Sequence, residues 1–311
     1  MRAEQHKGKK KRTWLRVTGV IFLLLILGVG AYVYSVYSSL TKAVDTMHEP
    51  IERKVSDKRT DELTFEKKDP FTVLMLGVDE RTGDRGRSDT MIVLAVNPEK
   101  NSTKMLSIPR DTRTQIVGKG FDDKINHAYA FGGVEMSMDT VENFLDIPID
   151  YYMKVNMEGF EDVVNAVGGV TVNNSFAFSQ DGENFPEGEI VLDGKEALSF
   201  VRMRKQDPGG DFGRQQRQRE VIQGVIRKGA SFNSLTKFDD IFKALGQNVK
   251  TNMTFDAMVD IQKNYKSAGE NLEQIQVQGS GTIINKIYYQ VVSEREKQRV
   301  QVEMKTHLNL N

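Results

Sequence analysis

The chain contains no cysteine and only four histidines among its 311 residues. Without cysteine there is no disulfide, no thiol nucleophile and no thiolate ligand for a metal. The histidines lie far apart along the chain, and no two of them have the spacing of a zinc site. Thiol chemistry is therefore excluded, a zinc site is not expected, and the domain must rest on its hydrophobic core. The four histidines are His6, His48, His127 and His307.

An excess of positive charge is also missing, because 43 lysines and arginines balance 43 aspartates and glutamates. A nucleic-acid binder usually carries such an excess and displaces counterions with it, so we expect no nucleic-acid partner. The phosphate loop of P-loop enzymes and the G-x-S-x-G elbow of serine hydrolases are absent too. The triplet DFG at 211–213 stands without the other kinase motifs.

One long run near the N-terminus carries no charge. Residues 17–37 are uncharged and follow the basic cluster KGKKKR at 7–12. As a helix, these 21 residues would cross a hydrocarbon core of about 30 Å, with the basic cluster in the cytoplasm. A cleaved signal peptide is the alternative, but the run is long for one and no A-x-A-like site follows it. We expect a single-pass protein with a cytoplasmic tail at 1–13, an anchor at 14–37, an extracellular stalk at 38–70 and an extracellular domain at 71–311.

Apolar runs and helical patterns alternate after residue 70, which predicts a layered α-β-α domain with a mixed central sheet. FTVLMLGV at 71–78 is nearly all apolar, as expected of a strand buried on both faces. Strands at 90–97 and 103–109 follow after short connections, which favour antiparallel neighbours. Apolar residues at helical spacing over 133–145 are expected to pack in the core. Other predicted strands are 151–157, 170–172, 189–192 and 272–278; other predicted helices are 159–167, 214–229, 237–249, 254–268, one after a capping box at Asp193 and Glu196, and one starting near Thr282.

Charged residues gather where the first three predicted strands meet. If these strands run up, down and up, Asp79 ends the first, Asp89 begins the second and Arg110 ends the third at one edge of the sheet. The loop from 79 to 89 contains no apolar residue. A surface hairpin with offsetting charges is the simpler interpretation of that loop, and a binding site is the alternative. The same edge would also hold Arg81, Asp84, Arg85, Arg87 and Asp111.

Arginine dominates over lysine in the segment RMRKQDPGGDFGRQQRQRE at 202–220. A solvated helix face is the usual role of such a run, whereas recognition of a phosphate or carboxylate would use the paired donors of guanidinium. A helix capped by Asp211 would place Arg214, Arg217 and Gln218 in its first turns. Cations there oppose the helix dipole unless an anion binds.

Paired aspartates together with clustered arginines indicate phosphoryl chemistry. Mg²⁺ prefers carboxylate and phosphate oxygens, so Asp79 and Asp89 are candidate ligands of one Mg²⁺ ion. The arginines would neutralise a diphosphate and the charge that develops as it is cleaved.

Four segments, taken in order, resemble the LytR-CpsA-Psr family: GVDERTGDRGRSDTMIVL, SIPRDT, DKINHAYAFGG and RMRKQDPGGDFGRQQRQ. The resemblance implies a Mg²⁺-assisted phosphotransferase in the cell membrane of a Gram-positive bacterium, with the domain at 71–311 catalytic. Such an enzyme moves an anionic glycopolymer from an undecaprenyl-pyrophosphate carrier to the C6 hydroxyl of N-acetylmuramic acid in peptidoglycan. The resemblance favours teichoic acid as the polymer, and capsule or another anionic polymer would use the same site.

The resemblance also implies roles for individual residues. Asp79 and Asp89 would hold the metal, and one of them would help to deprotonate the incoming hydroxyl. Arg110 and Arg204 would stabilise the charge of the transition state. His127 is expected to pack or to form hydrogen bonds rather than to act as a base. The residues around the pyrophosphate would be Arg87, Arg110, Lys124, Arg202, Arg204, Asp211, Arg214 and Gln218.

Two other functions use the same features differently. A non-catalytic binder of lipid-linked polymers would keep the arginines but would not need the aspartates. A transcriptional attenuator would need a DNA-reading domain in the cytoplasm, yet the predicted tail has only residues 1–13.

Overall fold

The structure is a computed structural model that describes residues 10–53, 55–59, 61–79, 86–231, 245, 246 and 248–310, with the backbone alone at 10–17, 20, 21, 24, 29, 33, 36, 230 and 231. The described helices are α1 (Lys10–Met47), α2 (His127–Leu145), α3 (Met157–Ala166), α4 (Gly194–Arg202), α5 (Asp211–Ser231), α6 (Phe255–Asn264) and α7 (Glu294–His307), with short 3-10 helices at Phe65–Lys67 and Lys266–Gly269. The described strands are β1 (Phe71–Val78), β2 (Ser88–Asn97), β3 (Ser102–Ser107), β4 (Arg113–Gln115), β5 (Asp122–Lys124), β6 (Tyr151–Val155), β7 (Val170–Asn174), β8 (Phe178–Gln180), β9 (Glu183–Phe185), β10 (Gly188–Leu192), β11 (Val249–Thr251), β12 (Leu272–Gln276), β13 (Ser280–Ile284) and β14 (Ile287–Val291).

A six-stranded sheet in the order β11-β6-β1-β2-β3-β12 lies at the centre of the fold. β1, β2 and β3 form an antiparallel meander, whereas β6 is parallel to β1 and β12 is parallel to β3. The predicted mixed sheet and the predicted up-down-up order of the first three strands are thus confirmed. The end of β1, the start of β2 and the end of β3 lie at one edge.

Alternate residues of β1 face two different helical layers, which is why the strand is apolar on both faces. Leu74 and Leu76 pack with Met138 of α2 and Met304 of α7. Phe71 and Val73, on the other face, pack in a cluster that includes Met258 and Ile261 of α6. The apolar residues predicted for the helix at 133–145 belong to the first of these cores. Met138, Val141, Phe144 and Leu145 are buried in it, and Val134 packs against it.

A separate apolar core holds the segment that leads to the arginines. Val170 and Val172 of β7 pack there with Phe178, Phe200 and Val221. The predicted capping box begins α4, since the Asp193 side chain accepts from the Glu196 backbone and Glu196 accepts in return. This second core fixes the end of α4 and the start of α5, which flank the loop at 203–210.

Residues 38–70 make specific contacts with the rest of the fold. Leu40, Val44 and Met47 at the end of α1 are buried. Arg53 forms ion pairs with Asp139 and Glu142, and Arg59 with Asp150. The segment predicted as a stalk is thus attached to the domain over part of its length.

α1 includes the run predicted as a membrane anchor, and several of its side chains lie outside the described set. Within the described residues, no helix is both long and apolar enough to cross a bilayer. The division of the chain into tail, anchor, stalk and domain stays a prediction.

The C-terminal region differs from the expected pattern. The helix predicted near Thr282 is absent, and β13 and β14 form a hairpin there. Asn285 and Lys286 form its two-residue turn with φ values of 51° and 67°, as turns that suit the twist of a hairpin require. The strand at 272–278 was predicted to be the last one, and this prediction is wrong because β13 and β14 follow it. Most of the helix predicted at 237–249 lies outside the described residues, and Val249 begins β11.

Candidate active site

A β-bulge sets the position of Asp89. Gly77 pairs with Thr90 and Val78 pairs with Ser88, so Asp89 is an extra residue on β2 without an opposite number on β1. Bulges often occur beside active sites, where they redirect a side chain. Asp79 follows Val78 directly, so both predicted metal ligands lie at the same end of this strand pair. Arg81, Asp84 and Arg85, in the loop between the strands, lie outside the described residues.

Arg110 follows β3 and joins Asp89 in an ion pair between Nη1 and Oδ1. Its Nε also lies 3.8 Å from Oδ2 of Asp111, whose other oxygen lies 2.7 Å from Nζ of Lys124. Burial lowers the pKa of Arg110, but the carboxylates of Asp89, Asp111 and Asp211 outweigh it, and the net shift is upward. Three of the predicted site residues (Asp89, Arg110 and Lys124) therefore form one charge network.

Arg217 organises the backbone that carries the other arginines. Its Nη1 pairs with Asp207, its Nε donates to the carbonyl of Phe200 at 3.0 Å, and its Nη2 donates to the carbonyl of Met203. The guanidinium carbon lies 5.4 Å from the ring centre of Phe178. Arg217 is buried and fully engaged, so it holds the loop between α4 and α5 in place.

The Arg214 side chain is 13% exposed, and its partners are incomplete. Its Nη2 lies 2.6 Å from Oδ1 of Asp211 in an ion pair outside hydrogen-bond geometry, and its Nε has no hydrogen-bond partner within the described part of the chain. Burial lowers the pKa of Arg214; Asp211 opposes this, and the nearby charges of Arg110 and Arg204 lower it further. A buried cation beside two others is a favourable place for an anion.

The same interactions show that the two distant segments meet. Arg214 feels the charges of Arg110 and Asp89 from the sheet edge as well as those of Asp211 and Arg204. Arg204 is exposed, with its Nε 3.9 Å from Oδ1 of Asp211. These charge interactions agree with the expectation that the arginine segment and the sheet edge converge, and the roles of the individual residues stay predictions.

Three other predicted residues are located by the elements that carry them or by a single contact. Arg202 is the last residue of α4, and it is exposed like Arg204, with buried Met203 between them. Gln218 follows Arg214 by one helical turn on α5. Arg87 is exposed, and its Nη1 lies 3.5 Å from Nε2 of His127.

His127 belongs to a hydrogen-bonded chain that the sequence did not reveal. Its Nδ1 lies 2.8 Å from Oδ2 of Asp123, and the hydroxyl of Tyr289 donates to Oδ1 of the same carboxylate at 3.2 Å. Burial raises the pKa of Asp123, but the hydrogen bonds from His127, the Lys124 amide and Tyr289 together bring it below its usual value. The spacing of Asp123 and His127 by four residues was the available signal. No sequence signal indicated the role of Tyr289, because the hairpin that carries it was predicted as a helix.

The donor set at the sheet edge suits a small hard cation. Mg²⁺ commonly takes one or two carboxylates from the protein and completes its shell with phosphate oxygens and water. Asp79 and Asp89 supply two carboxylates, and the pairing with Arg110 leaves the second oxygen of Asp89 for another partner. Within the described ranges, no cluster of three or more histidine, aspartate or glutamate residues is arranged for a metal.

Comparisons with known proteins identify relatives of this chain. The chain is 55% identical over 308 residues to a Bacillus subtilis (strain 168) protein named polyisoprenyl-teichoic acid--peptidoglycan teichoic acid transferase TagU, and the match covers 99% of each. The crystal structure of B. subtilis TagU has a TM-score of 0.63 at 56% identity and covers 78% of this chain and 97% of that one. A structure described as TagT bound to LI-WTA has a TM-score of 0.72 at 35% identity and covers 84% of this chain and 99% of that one.

The profile of one protein family spans most of the sequence. It matches residues 33–306, which include the sheet edge, the arginine segment and the second core between them. Since this match and the near full-length relatives agree, the chain belongs to the LytR_cpsA_psr family.

Proposed function

We propose that this protein transfers an anionic glycopolymer, teichoic acid in the first instance, from a polyprenyl-pyrophosphate carrier to the C6 hydroxyl of N-acetylmuramic acid in peptidoglycan. The name of the relative that is 55% identical over nearly the whole chain supports the polymer and the acceptor. The word polyisoprenyl in that name supports a lipid-linked donor, and the structure described as TagT bound to LI-WTA supports binding of wall teichoic acid.

The observation that carries the proposal is the incompletely paired Arg214 beside Arg110 and Arg204. These cations come from segments about 100 residues apart in sequence, and the charges of Arg110 and Arg204 make the partly buried positive charge of Arg214 less favourable until an anion binds. A diphosphate supplies that anion, and guanidinium groups can bind it through paired hydrogen bonds. Arg87, Lys124, Arg202 and Gln218 would extend the same binding surface.

The reaction follows from the groups that surround the diphosphate. The acceptor hydroxyl oxygen attacks the phosphorus that bears the polymer, and a new P–O bond forms to the sugar. The bond from that phosphorus to the bridging oxygen breaks, so the carrier leaves as polyprenyl monophosphate and the hydroxyl proton is released. Arg110 and Arg204 stabilise the negative charge on the phosphoryl and bridging oxygens as this occurs.

Asp79 and Asp89 are the residues that would hold Mg²⁺. When bound, the ion would neutralise phosphate charge and help to orient the diphosphate. Asp211 positions Arg214 through their ion pair. An aspartate of the Asp79/Asp89 pair is the proposed acceptor of the hydroxyl proton.

The site requires access to a lipid carrier and to the cell wall. The run at 17–37 and the basic cluster at 7–12 support a single-pass anchor with the domain outside the cell membrane. Protease treatment of intact protoplasts checks this orientation, because an extracellular domain is digested before lysis and a cytoplasmic one only after it.

Substitution of Asp89 distinguishes a transferase from a non-catalytic binder. We expect Asp89→Ala to lower transfer from a synthetic lipid-pyrophosphate donor to a peptidoglycan oligomer by at least about 100-fold, since it removes a metal ligand and the partner of Arg110. Binding of an isoprenyl diphosphate to the same variant should stay within about tenfold of the parent, because the arginines remain. Asp256→Ala, at an exposed aspartate in the first turn of α6, is the matched control.

Two results would contradict the proposal. Full transfer activity in Asp89→Ala would show that this aspartate has no role in the transfer reaction. Absence of transfer by the parent protein, with intact diphosphate binding, would favour the non-catalytic binder.

A further inference from the structure

The imidazole of His127 is held on one side by a carboxylate that has several hydrogen-bond partners. Nδ1 of His127 lies 2.8 Å from Oδ2 of Asp123. The other oxygen of Asp123 accepts from the backbone amide of Lys124 at 2.8 Å and from the hydroxyl of Tyr289 at 3.2 Å. Only 22% of the His127 side chain and 18% of the Asp123 side chain are exposed. These contacts fix the orientation of the imidazole ring.

The same contacts assign the hydrogen of the ring. A carboxylate accepts from Nδ1, so Nδ1 carries a hydrogen and Nε2 is the accepting nitrogen of the neutral imidazole. Although burial raises the pKa of Asp123, its hydrogen bonds hold it below the usual value, so the carboxylate is ionised. Nη1 of Arg87 lies 3.5 Å from Nε2 of His127, and a guanidinium can only donate. The hydrogen bond between Arg87 and His127 therefore requires the neutral ring.

Arg87 differs in this respect from other arginines of the site. Arg110 pairs with Asp89, and Arg214 lies beside Asp211. A carboxylate fixes a guanidinium but offsets its charge, whereas a neutral imidazole fixes it and leaves the charge in place. Full charge on a fixed guanidinium favours the binding of an anion.

The carboxylate that holds the imidazole borders the charge network of the sheet edge. Next to Asp123 in β5 stands Lys124, whose Nζ lies 2.7 Å from Oδ1 of Asp111. Asp111 is also the second carboxylate near Arg110. Arg87 directly precedes β2, which starts at the same edge. An arginine held here is therefore placed beside the proposed diphosphate site.

From this geometry we infer that Asp123 and His127 are positioning residues, which hold the exposed guanidinium of Arg87 in place for the diphosphate without offsetting its charge. The other N–H groups of Arg87 then donate to phosphate oxygens. Fixing a flexible side chain before the ligand arrives lowers the entropic cost of binding. The inference rests on the proposed function, because Arg87 has phosphate oxygens to bind only if the donor is a diphosphate.

Two amide substitutions distinguish the two nitrogens of the ring. Asparagine places an amide nitrogen near the position of Nδ1, whereas the longer glutamine places its amide near Nε2. We expect His127→Asn to weaken binding of farnesyl diphosphate by about three- to tenfold, because Arg87 loses its acceptor. His127→Gln should bind within about twofold of the parent. The matched control is His48→Asn, whose parent histidine also has an oxygen near Nδ1, the carbonyl of Met253 at 3.1 Å. It should bind like the parent.

Asp123→Asn tests the position of the ring hydrogen. The Lys124 amide can only donate, so the carbonyl oxygen of the new asparagine faces it and the asparagine NH2 group faces Nδ1 of His127. Nδ1 must then accept, the hydrogen moves to Nε2, and two donors meet between His127 and Arg87. We expect farnesyl diphosphate binding to weaken at least as much as in His127→Asn.

A double-mutant cycle distinguishes positioning from a merely structural role. Arg87→Met removes the group that is positioned. In that background, His127→Asn and Asp123→Asn should each change farnesyl diphosphate binding by less than about twofold. With Arg87 present, His127→Asn should raise the KM for the donor in transfer assays and leave the KM for the acceptor unchanged.

Three results would overturn the inference: binding like the parent by His127→Asn, equal binding by the asparagine and glutamine variants of His127, or an effect of the same size with and without Arg87. Each of them leaves the proposed function intact, because the parent still binds farnesyl diphosphate. Failure of the parent to bind this probe would instead count against the proposed function and the inference together.

Discussion

Two arginines one helical turn apart on α5 have opposite surroundings. Arg217 is enclosed by the second core, where it pairs with Asp207, donates to two backbone carbonyls and lies against aromatic rings. Arg214 lies at the sheet edge, where Nε lacks a partner and two other arginines are close. Both are largely buried, so burial alone does not distinguish a structural cation from a binding one. The two kinds of cation differ instead in how many of their donor atoms have hydrogen-bond partners.

This difference indicates how the site is built. The satisfied arginine fixes the loop at 203–210, and that loop presents Arg204 to the sheet edge. In the proposed function, the incompletely paired arginine would contribute binding energy for an anion, because its charge is already partly desolvated before the ligand arrives. Stability and binding are therefore divided between neighbouring turns of one helix.

The largest expected effect comes from removing the structural arginine. We expect Arg217→Met to lower the free energy of unfolding by about 3–5 kcal/mol, since it leaves Asp207 buried without its partner. Urea unfolding monitored by circular dichroism measures this change. A loss below about 1 kcal/mol would show that the two arginines do not differ in the way described.

A smaller energetic effect, confined to activity, is expected at the other arginine. Arg214→Met should lower transfer by about 100- to 1,000-fold, the range for removal of one donor to a transition-state oxyanion. Its free energy of unfolding should stay within about 1 kcal/mol of the parent, because Asp211 is partly exposed and remains near Arg204. Equal losses of stability in the two methionine variants would break the comparison.

The smallest expected effect is on the pH dependence of stability and concerns Asp123, whose two carboxylate oxygens both have hydrogen-bond partners. Because its hydrogen bonds hold the pKa of Asp123 below the ordinary value, this group contributes stability above its unfolded pKa of about 3.9 and loses it as the pH falls further. We expect the drop in unfolding free energy between pH 5 and pH 3 to be smaller in Asp123→Asn than in the parent. The neighbouring exposed Asp122→Asn serves as the control, and identical pH dependence in all three proteins would contradict the prediction.

Local patterns predicted the elements well where one periodicity applied. The apolar run at 71–78, the helical spacing at 133–145 and the capping box at Asp193 all correspond to observed elements. The hairpin at 280–291 was missed, because short apolar runs do not distinguish a strand from a helix and the turn at Asn285 and Lys286 lacks glycine. The roles of the predicted site residues and the Mg²⁺ ion stay predictions that the variants above would test.

The sequence by itself determined which residue types stand at the strand ends and in the arginine segment, and hence the phosphoryl chemistry they suit. Only the tertiary structure decided that Asp89 is a bulge residue and that Arg217 has hydrogen-bond partners for its guanidinium while Nε of Arg214 has none among the described residues. The reason is physical. Periodicity and capping act within a few residues, whereas the partners of a buried charge come from segments that only folding brings together.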